Sequence, residues 1–444
     1  MEMDSTHLLV FFFLLFFFSL PLPSTSTSPF PSSALPTKSG YLPISSTSSS
    51  VFFAFYEAQR PLTPLLSTPL LVWLQGGPGC SSMLANFFEL GPFLVSPSAP
   101  TLRPNHFSWN RRFGLLFIDS PLGTGFSVVA NSTLIPRDQP TIAAHLFTAI
   151  DSFISSNNFR ARPFYLTGES YAGKYIPAAG YYILKKNSQV PRSRRINLKG
   201  VAIGNGMTHP VAQVGTHAAS AYFTGFINEK QKAYLEQLQS EAIRLTLNEQ
   251  WATASEARAT ALNWLQNATG LATLYDFTKK KPYQSQMVAT FLNNDEVREA
   301  LGVAKGVTWE ACSSEVGKAM HEDMMKSVKF EVEELIKKRR VLLYQGVYDL
   351  RVGLVSTEAW MKEMEWEGLE SFLKADRVVW KVNGELAGYV QRSGSLSHVV
   401  VHGAGHLVPA DQGAISQVMI EDWVLETGLF IDAKEEVLRL RRSY

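Results

Sequence analysis

One serine of the sequence stands in a setting typical of a catalytic nucleophile. Ser170 lies in GESYAG, residues 168–173, which follows a short apolar stretch at 164–166. Small residues on both sides allow a sharp turn from a strand into a helix, and such a turn exposes the serine hydroxyl and aims the amide of Tyr171 at an oxyanion. Alanine stands at position 172, where glycine is usual, and this is a small change in volume. We therefore interpret Ser170 as a nucleophile.

A general base and an acid follow this serine in the chain. Asp349 ends the segment YQGVYD, residues 344–349, and His406 ends HGAGH, residues 402–406. A serine hydroxyl is a weak nucleophile unless an imidazole accepts its proton, and the imidazole needs a carboxylate that holds its tautomer. The order serine, aspartate, histidine is the order found in α/β hydrolases. The sequence thus predicts a triad of Ser170, Asp349 and His406.

A glycine-rich segment can supply the second donor that such a triad needs. Residues 74–82 read LQGGPGCSS and directly follow an apolar stretch at 70–74. A carbonyl that becomes tetrahedral needs two N–H groups aimed at its oxygen, each worth about 2.7–4 kcal/mol, and glycine allows that close approach of the backbone. We predict Gly77 and Tyr171 as the two donors. A phosphate-binding loop is the competing interpretation, but no G-K-[ST] follows the glycines.

Three histidines spaced four apart, His398, His402 and His406, could instead be metal ligands on a helix. The valines at 399–401 favour a strand, the glycines at 403 and 405 break a helix, and no glutamate follows His398 in the H-E-x-x-H manner. We predict no metal site and no cofactor.

The elements that must position these residues follow an α/β pattern. Short apolar runs alternate with helical stretches, as expected for a mostly parallel sheet that is covered by helices on both faces. The candidate strands are 70–74, 115–118, 164–166, 198–203, 341–344 and 398–401. Residues 228–264 are poor in glycine and rich in Ala, Glu, Gln and Leu, which indicates helices. We predict an α/β-hydrolase core over 37–206 and 326–444, with a helical cap inserted at 207–325.

Composition limits the classes of partner. Of the 444 residues 45% are hydrophobic and 18% are charged, and the formal net charge is +2. Such a chain can build a large core, and without a basic excess it is a poor candidate for nucleic-acid binding. Two short basic runs, RSRR at 192–195 and KKRR at 337–340, are interpreted as solvated turns. The oligomeric state stays open.

The N-terminus indicates entry into the secretory pathway. Residues 8–20 form an almost unbroken apolar run that is too short to span a bilayer, and a Ser/Thr/Pro tract follows it. We predict a signal peptide at 1–23 and a disordered tract at 24–36. Secretion is the expected destination, with a vacuole or lysosome-like compartment as the alternative. No later run is long enough for a transmembrane span.

The cysteines and glycosylation sequons fit that route. Cys80 and Cys312 could close a long loop in an oxidising compartment, and we predict that they are bonded, with two buried thiols as the alternative. Asn131 and Asn267 stand in N-x-S/T sequons and are predicted glycosylation sites.

Several longer motifs, in one order, resemble the serine carboxypeptidases. The resemblance runs from GYLP at 40–43 to about residue 430. It includes the segments 72–82, 87–92, 117–127, 167–175, 204–206 and 403–409. It implies hydrolysis of the last peptide bond of a chain, with peptide or protein C-termini as substrate, and it matches Cys80 and Cys312 to a disulfide of the family.

The resemblance also implies a site for the free carboxylate of the substrate, in which an amide and two glutamates lie near the nucleophile. The matching residues and their neighbours are Trp73, Gln75, Gly76, Glu89 and Glu169. The family usually has asparagine where Gln75 stands, and aspartate where Val347 stands. Closely packed carboxyls cannot all ionise, so we expect binding to favour acidic pH. Leu407, next to the base, is expected to line the pocket for the leaving residue.

Two other functions stay open. Some branches of this family use the same triad to move acyl groups from sugar esters to alcohols or amines, so an acyltransferase is one alternative. A non-catalytic partner that stabilises another protein is the second, although it would not need a complete triad. The fold alone does not separate these functions.

Overall fold

The computed structural model describes residues 30–44 and 48–431, so the predicted signal peptide at 1–23 lies outside the described residues. Twelve strands occur in the described chain. They are β1 (Lys38–Pro43), β2 (Ser50–Tyr56), β3 (Leu70–Leu74), β4 (Phe93–Val95), β5 (Leu102–Pro104), β6 (Gly114–Ile118), β7 (Phe164–Glu169), β8 (Leu198–Gly204), β9 (Arg340–Gly346), β10 (Val378–Val382), β11 (Glu385–Ser393) and β12 (Leu396–Val401).

Ten of these strands form one sheet in the order β1-β2-β6-β3-β7-β8-β9-β12-β11-β10, and β4 pairs separately with β5. The six strands from β6 to β12 are parallel to one another. Antiparallel pairs extend the sheet on both sides. The predicted α/β-hydrolase fold is confirmed. Each of the six candidate strands is present, β3 with the predicted bounds and the other five with somewhat longer ones. The antiparallel strands at the two edges were not among the candidates.

The parallel strands are buried on both faces because alternate residues enter two different cores. In β3, Leu70, Val72 and Leu74 belong to one hydrophobic cluster, and Leu71 and Trp73 belong to the other. A strand that is buried on both sides needs apolar residues at every position, which is why these strands read as unbroken apolar runs. The carboxyl ends of the parallel strands share one edge of the sheet, and the candidate site residues follow those ends.

Fifteen α-helices accompany the strands in the described chain. They are α1 (Ser82–Phe88), α2 (Gln139–Ser156), α3 (Ala172–Ser188), α4 (Pro210–Val214), α5 (His217–Phe223), α6 (Glu229–Leu247), α7 (Trp251–Thr269), α8 (Gln286–Leu292), α9 (Asp295–Leu301), α10 (Ser314–Ala319), α11 (Lys329–Ile336), α12 (Leu354–Met361), α13 (Leu369–Lys374), α14 (Val408–Asp411) and α15 (Gly413–Leu425). Apolar side chains of α2, α3 and α11 cover one face of the sheet, and those of α1 and α15 cover the other.

Helices α4 to α10 lie in the segment 207–325, for which we predicted a helical insertion. Asn228 begins α6 with a reciprocal capping box with Gln231, and Gly270 ends α7 in the left-handed conformation at φ 65°. Helices α5, α6 and α7 share a small hydrophobic cluster that also contains Leu350, the residue after Asp349. The segment 270–285 between α7 and α8 has no regular secondary structure.

The prediction of disorder is wrong for residues 30–36. Ser32–Ala34 form a short 3-10 helix, and Phe30 is buried. The Phe30 ring makes edge contacts with Phe87 of α1 and Phe291 of α8. Aromatic burial against two helices therefore outweighs the local preference of a Ser/Pro-rich segment for disorder.

No described helix is both long and apolar enough to cross a membrane.

Candidate active site

Ser170 occupies a strained turn between β7 and α3. Its φ is 61°, in the left-handed region, and its N–H donates to the carbonyl of Gly204 over 2.9 Å. Glycine is needed on both sides of Ser170 because neighbouring backbone packs closely against the turn. A Cβ on Gly168 would stand 2.1 Å from the Leu74 carbonyl oxygen, and one on Gly173 would stand 2.7 Å from the Met207 nitrogen. The turn thus has the geometry expected of a strand–nucleophile–helix motif.

Asp349 and His406 form a buried hydrogen-bonded pair. Nδ1 of His406 lies 2.6 Å from Oδ2 of Asp349, and both side chains are almost inaccessible to solvent. Because Nδ1 faces the carboxylate, Nε2 is the ring nitrogen that is left to accept a proton. Nε2 is buried and has no hydrogen-bond partner among the described residues. The pair can act as a general base toward a hydroxyl placed near Nε2.

Ser170 and His406 line the same cavity, whose volume is about 290 Å³. Within the described residues no hydrogen bond joins the two side chains, and catalytic hydrogen bonds of this kind often tighten only when substrate is bound. The predicted site residues Gln75, Gly76, Gly77, Glu169 and Leu407 also line this cavity. Trp73 is buried beneath it and Glu89 lines a neighbouring groove.

Asn205 holds the carboxylate of Asp349 in place, which the sequence did not indicate. Nδ2 of Asn205 donates to Oδ2 of Asp349 over 2.9 Å, and the amide of Gly346 donates to Oδ1 of Asn205 over 3.1 Å. The other oxygen of Asp349 accepts from the amides of Arg351 and Val352. Three donors besides the imidazole therefore fix the carboxylate of Asp349.

The two predicted oxyanion donors are free. Among the described residues, neither the amide of Gly77 nor that of Tyr171 donates a hydrogen bond. Gly77 has a φ of 113°, which only glycine adopts readily. A Cβ on Gly76 would stand 2.5 Å from the nitrogen of Tyr171, so the glycine loop passes directly against the serine turn. Gly77 lines the same cavity as Ser170, and Tyr171 directly follows that serine, so these two unpaired N–H groups are candidates for an oxyanion hole.

A disulfide joins Cys80 to Cys312, as predicted. It connects the glycine loop to the segment before α10, and two backbone hydrogen bonds reinforce it, from Ser81 to the Ala311 carbonyl and from Ser313 to the Gly79 carbonyl. The position of Gly77 therefore depends on a covalent link to the far end of the inserted segment.

Three buried side chains form a carboxyl cluster next to the serine. Nε2 of Gln75 donates to Oε1 of Glu169 over 2.8 Å and to Oε1 of Glu89 over 3.4 Å. Nε1 of Trp73 donates to Oε1 of Gln75 over 2.8 Å, which fixes the orientation of the amide. Oε2 of each glutamate is buried and has no partner among the described residues. The cluster can thus accept a further polar group.

Burial makes these carboxyls weak acids. The pKa of Glu89 is raised to about 8, first by burial and then by the negative charge of Asp411, while hydrogen bonds from Gln75 and Glu169 act in the opposite direction. The pKa of Glu169 is raised well above its usual range by burial and by the charge of Glu89. Both groups are therefore protonated at acidic pH, and the pair gains negative charge as pH rises.

The irregular segment 270–285 supplies residues that sequence reasoning missed. The ring of Tyr275 lies 4.5 Å from that of His406, and its carbonyl accepts the His406 amide over 2.7 Å. The Tyr283 hydroxyl donates to Asp411 over 2.6 Å, and Asp411 also accepts from the Gly405 amide over 2.9 Å. These contacts fix the histidine loop against the inserted segment.

The remaining predicted residues lie apart from the cavity. His398 is buried in β12 and pairs with Gln345, and the described residues contain no group of three or more potential ligands that could hold a metal ion. Asn131 and Asn267 are both exposed on the surface.

Comparison with known proteins gives consistent matches over most of the chain. A family model described as serine carboxypeptidase matches residues 27–426. Serine carboxypeptidase-like 50 of Arabidopsis thaliana is 53% identical over 404 residues, which are 90% of each protein. Probable serine carboxypeptidase CPVL of Homo sapiens is 34% identical over 414 residues, which cover 90% of this chain and 85% of that protein.

A solved structure is similar in fold. The structure of Kex1(delta)p, a prohormone-processing carboxypeptidase from Saccharomyces cerevisiae, superposes with a TM-score of 0.80 at 25% sequence identity. The alignment covers 89% of this chain and 92% of that chain.

Proposed function

Because the chain belongs to the serine carboxypeptidase family, we propose that it removes the C-terminal residue of peptides or proteins through an acyl-enzyme on Ser170. One observation carries the proposal. The imidazole of His406 is fixed by Asp349 at Nδ1, its Nε2 is unpaired among the described residues, and it lines the same cavity as Ser170.

In the proposed reaction, Oγ of Ser170 attacks the last peptide carbonyl and Nε2 of His406 takes the hydroxyl proton. Asp349 stabilises the imidazolium that results. The oxyanion binds the amides of Gly77 and Tyr171, and loss of one such donor typically lowers kcat by about 10²–10³. His406 then gives its proton to the leaving amine. Water attacks the acyl carbonyl while Nε2 of His406 takes its proton, and the imidazolium returns that proton to Oγ of Ser170 as the shortened peptide leaves.

The carboxyl cluster supports the choice of a carboxypeptidase over a general esterase. Protonated Glu89 and Glu169 can each donate a hydrogen bond to a substrate carboxylate through Oε2, which is unpaired among the described residues, while Gln75 holds both glutamates in place through its Nε2. Ionised glutamates would repel that carboxylate. We therefore propose that the reaction favours acidic pH, since the pKa of Glu89 is raised to about 8.

We further propose that the chain enters the secretory pathway and carries glycans at Asn131 and Asn267. The apolar run at 8–20 supports the first point, and so does the disulfide between Cys80 and Cys312, because disulfides persist in oxidising compartments. Both sequon asparagines are exposed, as glycosylation requires.

Three substrates test this function. A blocked dipeptide with a free C-terminal carboxylate should lose its last residue, the same dipeptide as a C-terminal amide should be cleaved far more slowly, and the Ser170→Ala variant should cleave neither. The third substrate is an acyl glucose, which is offered to the wild type together with an alcohol acceptor. Acyl transfer from it, with no release of an amino acid from the dipeptide, would contradict the proposal and support the acyltransferase.

A further inference from the structure

The two basic runs of the sequence line one cavity that lies away from the active site. Residues 192–195 precede β8 and residues 337–340 lead into β9, which is its parallel neighbour. Both runs therefore lie at the amino ends of these strands, whereas the candidate site residues follow the carboxyl ends. The cavity between them has a volume of about 960 Å³. The interpretation of the runs as separate solvated turns is incomplete, because the fold brings them together.

The lining of this basal cavity is strongly positive and includes no acidic residue. Three of its cations already have acidic partners that lie outside the lining. Arg160 pairs with Asp151, Lys337 with Glu334, and Arg340 with Glu426, at distances of 2.6–3.0 Å. These three ion pairs neutralise three of the eight cations in the lining and leave the other five without an acidic partner.

Five further cations of the lining form no ion pair with a described residue. They are Arg192, Arg195, Lys199, Lys338 and Arg339. The C-terminal ends of α3 and α11 also border the cavity, and each helix end carries about half a negative charge. These two ends offset only about one of the five positive charges, so that most of the charge remains available to a ligand.

Arg339 has a donor that lacks an acceptor. Its Nε is buried and has no hydrogen-bond partner among the described residues, while Nη1 donates to the Lys338 carbonyl. A buried N–H without an acceptor costs about 1–3 kcal/mol. Burial also lowers the pKa of Arg339, as expected for a guanidinium that lacks a counter-charge.

The walls of the cavity are held by hydrogen bonds, so the cations are presented on a defined surface. Nη1 of Arg160 donates to the Arg194 carbonyl over 2.6 Å, which fixes the 3-10 turn of the first basic run. Asn187 and Ile196 exchange two hydrogen bonds of 2.8 and 3.0 Å across the loop from α3 to β8. Preorganised donors lose less freedom when a ligand binds.

We propose that the basal cavity binds a compact polyanion, namely a small molecule that carries several phosphate groups. Guanidinium groups bind phosphate in a bidentate manner, and a concave site of this volume encloses a small ligand. The lining contains no aromatic residue on which nucleic-acid bases could stack, and a concave surface fits a flat membrane poorly. The site is separate from the hydrolytic centre and does not depend on its function.

Titration calorimetry of the full chain with inositol hexakisphosphate tests this site at about 0.1 M salt. We expect binding with a micromolar or lower Kd, and a rise in Tm when the ligand is present, because the ligand binds the folded state. The double variant Arg195→Gln, Arg339→Gln should weaken binding by about tenfold or more. The matched control Arg60→Gln, Arg137→Gln removes two exposed arginines elsewhere and should bind as the wild type does.

A second pair, Lys199→Gln with Lys338→Gln, removes two exposed cations from the lining and should also weaken binding. Its Tm without ligand shows whether the variant is folded. The proposal is overturned if the wild type shows no heat of binding at millimolar ligand, or if both lining pairs bind as tightly as the control. It is also overturned if only vesicles with phosphoinositide headgroups are bound and the soluble polyphosphate is not. Peptide cleavage should be unchanged in all three variants.

Discussion

Nδ2 of Asn205 donates a hydrogen bond of 2.9 Å to Oδ2 of Asp349, and this is the carboxylate oxygen that also accepts from His406. Asn205 itself has a φ of 40° and accepts from the Gly346 amide, so its side chain is held on both sides. The link joins the loop after β8 to the loop after β9, and it orients the acid that orients the base.

Replacement of Asn205 by alanine should lower kcat by about tenfold and leave KM nearly unchanged, because Asp349 loses one donor and the imidazole loses part of its orientation. The free energy of unfolding should fall by about 1–3 kcal/mol. Steady-state kinetics with the blocked dipeptide and urea unfolding measure the two effects. Asn293→Ala is the matched control, since it removes hydrogen bonds to the Ala289 and Trp309 carbonyls in the inserted segment. An equal fall of kcat in both variants would show that Asn205 has no specific role.

The carboxyl cluster predicts a loss of substrate affinity at high pH. The pKa of Glu89 is raised to about 8, so KM for the free-acid dipeptide should rise as pH passes that value and the cluster gains negative charge. In Glu89→Gln this rise should be smaller, because the amide cannot ionise. Glu315→Gln, on the surface, serves as the control. A wild-type cleavage rate that still increases beyond about pH 8 would contradict the prediction.

Stability should depend on pH through the same residue. A carboxyl whose pKa is raised on folding stays protonated in the native state where the unfolded chain ionises, so the free energy of unfolding falls as pH rises from the ordinary value of 4.5 towards about 8. The slope from one such group is at most about 1.4 kcal/mol per pH unit. Urea unfolding across this range should show a shallower fall in Glu89→Gln, and identical slopes in the two proteins would exclude the effect.

The ring of Tyr275 should contribute to catalysis by packing on His406. Tyr275→Ala removes a ring whose centroid lies 4.5 Å from that of the imidazole, and we expect kcat to fall several-fold as the histidine gains freedom. Tyr275→Phe keeps the ring and should retain most of the activity. If the phenylalanine variant is as slow as the alanine variant, the hydroxyl rather than the packing is what matters.

The parts of the fold that the sequence predicted are those in which local pattern and burial agree. Strand β3 is apolar at every position because both of its faces are buried. Its sequence therefore indicates a buried strand even when the neighbouring strands are not known. In contrast, β11, the second strand from one edge of the sheet, reads ELAGYVQRS and has only three buried residues, so its sequence carries no continuous apolar signal. Phe30 lies in a segment of Ser and Pro, and only its distant contacts reveal that it is buried.

The site residues divide in the same way, into those that local sequence identifies and those that depend on distant contacts. Ser170, Gly77 and His406 stand in turns whose local sequence is required by their chemistry, so spacing and residue type identified them. Asn205 acts on a residue that is 144 positions away in the chain, and nothing in its neighbours indicates that partner. Tyr275 lies in an irregular segment without periodicity, and its role depends on how the inserted segment packs.

The most direct measurement is the site at which an active-site-directed fluorophosphonate attaches, read by mass spectrometry of the digested protein. We expect one adduct, on Ser170, that is absent in Ser170→Ala and strongly reduced in His406→Ala. Ser285→Ala is the matched control, because Ser285 lines the same cavity, and it should label fully. An adduct that persists in Ser170→Ala, or that forms at the same rate without His406, would contradict a nucleophile activated by this histidine.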